Sequence, residues 1–380
     1  MSGNSGNDHL RIGIVCHPTH GGSGAVATEL GIALGKRGHE IHILSHAAPF
    51  RLAGFHPNVI YHEVGVSHYP LFKYPPYELS LANKISEIAE SASLDLVHVH
   101  YAVPHSICAY LARQMTHRKP MKIITTLHGT DITLVGADPS FFDITRFAME
   151  ESDGITAVSR YLKEETQKKF SLRRSIRVIH NFVDTARFTR PACQRGDLAR
   201  KEEAILSHVS NFRPVKRVRD VVEVFHRVSK ERPARLLLIG DGPDLPAAVE
   251  RAQTLGISDK ISVLGLQDDV TGVLGNSDIF LLPSEYESFG LAALEALSSG
   301  VPVIGTDSGG IPEVIQNGET GYLLPVGDLD GMATAALRVL DDDDLRIRLC
   351  ENGRRVAAER FSESAIVSEY EAFYREILAG

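Results

Sequence analysis

Tryptophan is absent from the 380 residues, and cysteine occurs only at Cys16, Cys108, Cys193 and Cys350. These four are scattered, with no CxxC pair, which excludes a disulfide framework and a cysteine zinc site and suits a reducing compartment. A surplus of positive charge is missing too. The formal net charge is −8, whereas general nucleic-acid binding needs a basic surface. No uninterrupted apolar run approaches the roughly 18 residues that cross a bilayer. The opening MSGNSGNDHL has no apolar centre and reads as a loose polar tail, not a secretory signal. Together these absences predict a cytoplasmic protein with no nucleic-acid partner and no stable membrane insertion. A GxGxxG dinucleotide fingerprint is also lacking.

What is present is a globular composition, 43% apolar and 23% charged, on a chain long enough for two domains. Short β-branched runs predict strands at 11–16, 40–45, 95–100, 122–127, 154–159 and 176–181, with helix-period segments such as GAVATELGIALGKRG between them. This βαβ alternation is the pattern of a parallel sheet covered by helices. Polar residues near Thr189–Arg200, with Pro191 and Gly196, predict a linker. The pattern then restarts at 204–210, 234–240, 261–265, 279–283 and 301–306. The fold class is therefore α/β, with two Rossmann-like doubly wound domains in series, at 1–187 and 188–361. Such sheets bind ligands at the carboxyl ends of their strands, so two facing domains would form a cleft. The last segment, 362–380, is helical in spacing and either ends the second domain or crosses back to the first. The run KKFSLRRSIR (168–177) is either an anionic-lipid contact or a solvated helix end before a strand.

Several stretches carry chemistry. PTHGGSG (18–24) follows the first strand and opens a helix, where free backbone N–H groups favour an anion. It is either a ligand loop, with Gly22 flexible and Ser23 offering a hydroxyl, or a plain tight turn. HYAVPH (100–105), LHGTD (127–131) and HNFVD (180–184) each lie just past a predicted strand of the first domain and should line one rim. Tyr101, Thr126, His128 and Asn181 would offer uncharged hydrogen bonds there. SNFRPVKR (210–217) follows the first strand of the second domain. Its Arg213 and Lys216 suit a diphosphate, the first as a planar fork and the second as a point charge. The other reading is a solvated basic loop. GDGPD (240–244) reads as a turn.

SEYESFGLAALEALSSGVPVIGT (284–306) places Glu287 and Glu295 around Ser288, Phe289 and Gly290. The three central residues should form a helix N-terminus, with amides free for a phosphate. Were both glutamates helical, the eight-residue offset would set them about 80° apart around the axis and more than two turns distant. That fits poorly with a glycosidase pair, which must face across a sugar. No His or Asp completes a metal set. Glu295 inside the helix would then accept from a ribose diol, and Glu287 from a sugar hydroxyl.

The Glu287–Glu295 spacing resembles the EX7E motif of retaining glycosyltransferases of the GT-B fold, family four, and SNFRPVKR resembles that family's donor diphosphate site. CHPTHGGSGAVATELG, FKYPPYELSLA, HYAVPHSICAYLA, TTLHGTDITLVGADPS and VSNFRPVKRVRDVVEVF are similar to the bacillithiol-pathway branch, from about Arg11 to about Tyr374. The resemblance implies a UDP-GlcNAc donor, an L-malate acceptor, retained α configuration, and no metal or other cofactor. It implies donor binding by Asn211, Arg213, Lys216, Ser288, Phe289, Gly290 and Glu295. Glu287 would meet the sugar, Gly22 and Ser23 the diphosphate, and His128 the transferred sugar. Catalytic roles would fall to His128, Arg213, Lys216 and Glu287. Acceptor contacts would come from Tyr101, Thr126 and Asn181. A homo-oligomer, a dimer in the simplest case, and a last helix crossing back to the first domain are also implied. His17 stands where the resemblance leads one to expect tyrosine. Other family-four acceptors (an inositol phosphate, a lipid or a sugar) and a UDP-sugar epimerase are the competing enzymes, and a non-catalytic binding module is the competing class.

Overall fold

The computed structural model describes residues 9–19, 21–66, 71, 73–117, 121–189 and 195–380. The polar tail at 1–8, His20 and Phe72 of the quoted motifs, Cys193, and the 190–194 part of the expected linker lie outside them.

The chain divides into two compact units, Met1–His180 with Ile366–Gly380, and Asn181–Ala365. In the first, β1 (Arg11–Val15), β2 (Glu40–Ser45), β3 (Val59–Glu63), β4 (Leu96–His100), β5 (Lys122–Leu127), β6 (Gly154–Ala157) and β7 (Ile176–Val178) form one sheet in the order β3-β2-β1-β4-β5-β6-β7. In the second, β8 (Ala204–Val209), β9 (Ala234–Ile239), β10 (Ile261–Gly265), β11 (Ile279–Leu282), β12 (Val303–Thr306) and β13 (Gly321–Leu324) are ordered β10-β9-β8-β11-β12-β13. The pairings are parallel, for example Ile14 opposite His98 and Leu206 opposite Ile279. Each sheet reverses its winding once, between β1 and β4 and between β8 and β11. At such a switch the loops leaving the strands diverge, and a ligand crevice opens at the carboxyl ends.

Helices cover both faces, so the central strands are buried throughout, as parallel sheets require. Leu206, Leu236, Leu238, Ile279, Leu281 and Ile304 pack with Val222 and Phe225 in the second unit. In the first, Val97, Val99 and Ile123 pack with Leu81, Ile85 and Cys108. Yet the central strands turn polar toward their carboxyl ends: His98, His100, Thr125, Thr126, Ser207 and His208 are all fully buried. Buried polar groups need partners, and those partners build the sites described below.

The unit boundary falls at His180/Asn181 and Ala365/Ile366, not at 187/188 and 361/362. Backbone pairing accounts for the difference. Val183 donates to Phe361 O at 2.9 Å and Glu363 donates to Val183 O at 3.2 Å, while Ser298 Oγ donates to Phe188 O at 2.9 Å. The helix Glu363–Ala379 runs from the second unit into the first, where Tyr370 and Tyr374 are buried. The basic run resolves as a helix end: Lys168 and Lys169 sit in the last turn of Arg160–Phe170, where cations suit the free carbonyls. Arg174 Nε donates to Glu150 O at 2.6 Å, and Arg173 N to Glu150 Oε1 at 2.7 Å.

Candidate active site

In the second unit the candidate residues rise from three loops at the ends of β8, β11 and β12. Buried His208 starts the first. Its Nδ1 donates to Leu281 O at 2.8 Å, because a carbonyl can only accept, so its Nε2 takes the Ser210 hydroxyl proton at 2.8 Å. Ser210 Oγ in turn accepts from Phe212 N at 3.2 Å. Burial, more than any charge, pushes the His208 pKa down to about 4, so the ring is a neutral brace for the 210–217 loop. That loop turns tightly, with Lys216 N donating to Arg213 O at 2.8 Å.

Backbone bonds then tie the loops together. Glu285 N donates to Val215 O at 2.8 Å and Gly310 N to Glu287 O at 2.8 Å. Ser308 Oγ donates to Glu285 O at 2.6 Å and Thr306 Oγ1 to Ser284 O at 2.5 Å. A Cβ on Gly310 would sit 2.3 Å from Ser288 O, so only glycine allows this approach. The frame brings Lys216 and Glu287, 71 residues apart, into contact: Nζ donates to Oε1 at 2.6 Å, and Ser284 Oγ donates to the same oxygen at 3.0 Å. Arg213 is exposed, and no ion-pair partner of it is found among the described residues. Asn211 Oδ1 is buried and lacks a partner among them.

The helix Leu291–Ser298 begins at Gly290, whose φ of 98° is open to glycine at little cost. Glu287 therefore lies before the helix and Glu295 inside it, where it is 4% exposed. Ser288 is half-buried. Phe289 departs from its expected donor-binding role, at least as a side chain. It is 2% exposed and meets Phe361 edge-on at 5.6 Å, so only its backbone is available to a ligand. The ring anchors the turn at the helix start, where the first N–H groups have no partner within the helix.

In the first unit the corresponding loops follow β1, β4 and β5. Gly22 is exposed and Ser23 half-buried at the start of helix Gly22–Lys36. His128 is part-buried; its Nε2 lies 2.8 Å from His100 Nδ1. Tyr101 has a φ of 101°, a strained value for a bulky residue. Its ring stacks on His128 at 5.8 Å and its hydroxyl bonds Thr130 Oγ1 at 2.5 Å. Tyr101 thus braces His128 from a part-exposed position. Thr126 departs from the expected rim. It is fully buried, bonded to His98 Nε2 at 2.6 Å and Thr156 Oγ1 at 2.6 Å. Asn181 belongs to the second unit and is 5% exposed.

Two residues escaped the sequence reading. His100 is one. The other is Asp131, fully buried, whose carboxylate accepts from Ala102 N at 3.1 Å, His128 N at 3.1 Å and Gly129 N at 2.7 Å. It clamps the turn after β5 to the turn after β4. Burial raises its pKa to about 6, against the lowering pull of those N–H groups. The acid three residues after His128 in LHGTD was the available signal. Burial first, then the nearby His17 charge, pushes the His128 pKa down to about 3. Among the described residues no group of three or more His, Cys, Asp or Glu side chains is arranged to hold a metal ion, and no helix is long and apolar enough to cross a membrane.

Two parallel α/β units, the second ending in a linked cation–carboxylate pair at a helix start, define a class. The profile of Glycosyltransferase Family 4 matches residues 20–187, and that of Glycosyl transferases group 1 matches residues 192–356. The chain belongs to the glycosyltransferases, with the GT-B fold. Within them it is 49% identical over 372 residues to the N-acetyl-alpha-D-glucosaminyl L-malate synthase of Bacillus anthracis, covering 97% of each chain. Among solved structures it matches sucrose-phosphate synthase from Thermosynechococcus elongatus with a TM-score of 0.82 at 21% identity, over 97% of this chain and 99% of that one. Anabaena Alr3699/HepE in complex with UDP and glucose matches with a TM-score of 0.81 at 16% identity, over 96% and 99%. At these identities the structural matches speak for the fold.

Proposed function

We propose that this glycosyltransferase moves N-acetylglucosamine from UDP-GlcNAc to the hydroxyl of L-malate with retention of configuration, as the first step of bacillithiol biosynthesis. The observation that carries the reading is the 49% identity over nearly the whole chain to a synthase of that name. The second-unit geometry supports it. Breaking the sugar–phosphate bond builds negative charge on the leaving diphosphate while the sugar becomes oxocarbenium-like. Arg213, Lys216 and the amides at Ser288–Gly290 meet that charge with preorganised donors, the role an oxyanion hole plays in acyl transfer. The Glu287 contact holds the Lys216 ammonium in place before the donor arrives, which lowers the cost of ordering it.

Glu287 also serves a sugar hydroxyl, Glu295 the ribose, and Asn211 the donor. Gly22 and Ser23 lie beside the diphosphate, and His128 serves the transferred sugar. The malate hydroxyl attacks from the face the diphosphate leaves, and a phosphate oxygen takes its proton, so the reaction uses neither a protein nucleophile nor a divalent metal. A cytoplasmic homo-oligomer completes the proposal. Incubation with UDP-GlcNAc and a panel of hydroxy acids, sugars and inositol phosphate, with UDP release and product mass measured, tests it. The expected result is UDP release dependent on L-malate and unchanged by chelator. Conversion of UDP-GlcNAc without acceptor, or release driven by another acceptor alone, would replace the reading.

A further inference from the structure

We propose that His100 fixes the proton of His128 on Nδ1, so that His128 meets its substrate as a neutral hydrogen-bond donor. The two residues end adjacent strands, with His100 opposite Thr126 in the β4–β5 register. His100 Nδ1 and His128 Nε2 are 2.8 Å apart, and the rings lie 28° from parallel with centroids 5.1 Å apart. One proton lies between those two nitrogens, and it belongs to one ring or the other.

His100 decides which. It is fully buried, and its second nitrogen, Nε2, has no hydrogen-bond partner among the described residues. If His128 donated, His100 would have to carry its own proton on Nε2, an N–H sealed away from water with nothing to accept it. Orphaned buried N–H groups are rare because they lose their hydration without return, and under-satisfied acceptors are better tolerated. If His100 donates from Nδ1, only a bare nitrogen is left sealed.

A neighbour shows the same solution. His105 Nδ1 lies 2.6 Å from His100 O; a carbonyl accepts, so the proton of His105 is on Nδ1. Its Nε2 is then bare, and it too is buried without a partner among the described residues. The doubly protonated alternative is opposed on all sides. Desolvation, followed by the nearby His98, His128 and His105, holds His100 neutral, and the carboxylate beside the pair, Asp131, is engaged by the backbone N–H groups of Ala102, His128 and Gly129.

With Nε2 of His128 accepting, its remaining proton is on Nδ1, which has no partner among the described residues on a part-exposed side chain. His128 is then a donor to a sugar hydroxyl or phosphate oxygen and not the base that deprotonates the acceptor. That consequence rests on the glycosyl-transfer reading; the position of the proton does not. His100 acts through His128 and is a positioning residue.

The test is long-range proton–nitrogen correlation of the imidazoles in the full-length protein labelled with nitrogen-15 histidine, with the His128 signals assigned by their loss in His128→Gln. The expected pattern is a protonated Nδ1 and a bare Nε2 on His128. In His100→Leu the pattern should revert to the Nε2–H form that free imidazole favours. Turnover should fall about tenfold, the worth of one hydrogen bond, with a smaller change in donor KM. His100→Asn, whose amide N–H mimics Nδ1–H, should keep the wild-type pattern and restore most of the turnover; it also stands in if the leucine variant does not fold. A wild-type His128 protonated on Nε2, or a pattern indifferent to both substitutions, overturns the proposal. The expected pattern in a protein that transfers no sugar would uphold the role of His100 while refuting the functional reading.

Discussion

The two units solve the same topological problem with opposite chemistry. At the strand ends of the second, a cation and a carboxylate are locked together at 2.6 Å beside an exposed arginine and a helix start. Where β4 and β5 end in the first, the histidines are held neutral. Three histidines (His98, His105 and His128) have pKa values pushed to about 3, chiefly by burial, and the carboxylate of Asp131 is spent on backbone N–H groups. The contrast shows that a doubly wound sheet prescribes where a site lies but not what charge it carries. Charge is assigned by loop residues such as Arg213 and Lys216, and neutrality by sealing histidines inside the strands.

Lys216→Ala is the sharpest way to break this comparison. If the second unit's charge stabilises the departing diphosphate, turnover should drop roughly a hundredfold or more while the thermal midpoint hardly moves. Near-normal turnover would make the two strand ends functionally alike.

Acidification should separate the units next. His98, His105 and His128 titrate near 3 and His208 near 4 in the fold, against 6.5 ordinarily. As pH falls below about 6.5, the unfolded chain takes up protons that the folded units refuse, so stability is lost. Asp131 works the other way: with its pKa raised to about 6, it binds a proton in the fold before it would in the unfolded chain and returns some stability below that pH. With His17, His62 and His100 also lowered in the first unit, against His208 and His226 in the second, the first unit is still the more acid-sensitive. Amide exchange followed from about pH 7.5 to about pH 5 should show it opening before the second; simultaneous opening would remove the contrast.

The smallest effect concerns Thr126. Thr126→Val deletes the hydroxyl that links His98 to Thr156 and should cost about 1–2 kcal/mol of stability, with little change in acceptor KM. A large rise in KM at unchanged stability would return Thr126 to the acceptor site.

Much of this was legible in advance. The strands that carry the candidate sites, β1, β4, β5, β8, β11 and β12, announce themselves as β-branched runs. The two that were missed, VIYHE in β3 and GYLL in β13, are sheet edges. An edge strand is covered less completely and can lose the continuous apolar signature, although the opposite edges, β7 and β10, kept enough of it to be read. Arg213 and Lys216 stood out because cations after a strand have few structural uses. Their relation to Glu287 did not, since contacts across 71 residues are made by tertiary structure. Phe289 and Thr126 show the reverse failure: a turn aromatic and a strand-end hydroxyl both read as ligand contacts, and both turned inward to satisfy packing or buried polar neighbours. His100 was invisible for a similar reason, because its importance lies in which of its nitrogens lacks a partner.

A crystal structure with UDP bound tests the central claim most directly. The account predicts the diphosphate within hydrogen-bonding distance of Arg213, Lys216 and the amides at Ser288–Gly290, with the ribose on Glu295. Phosphates lodged away from the 213–216 loop and the 288–290 turn would contradict it.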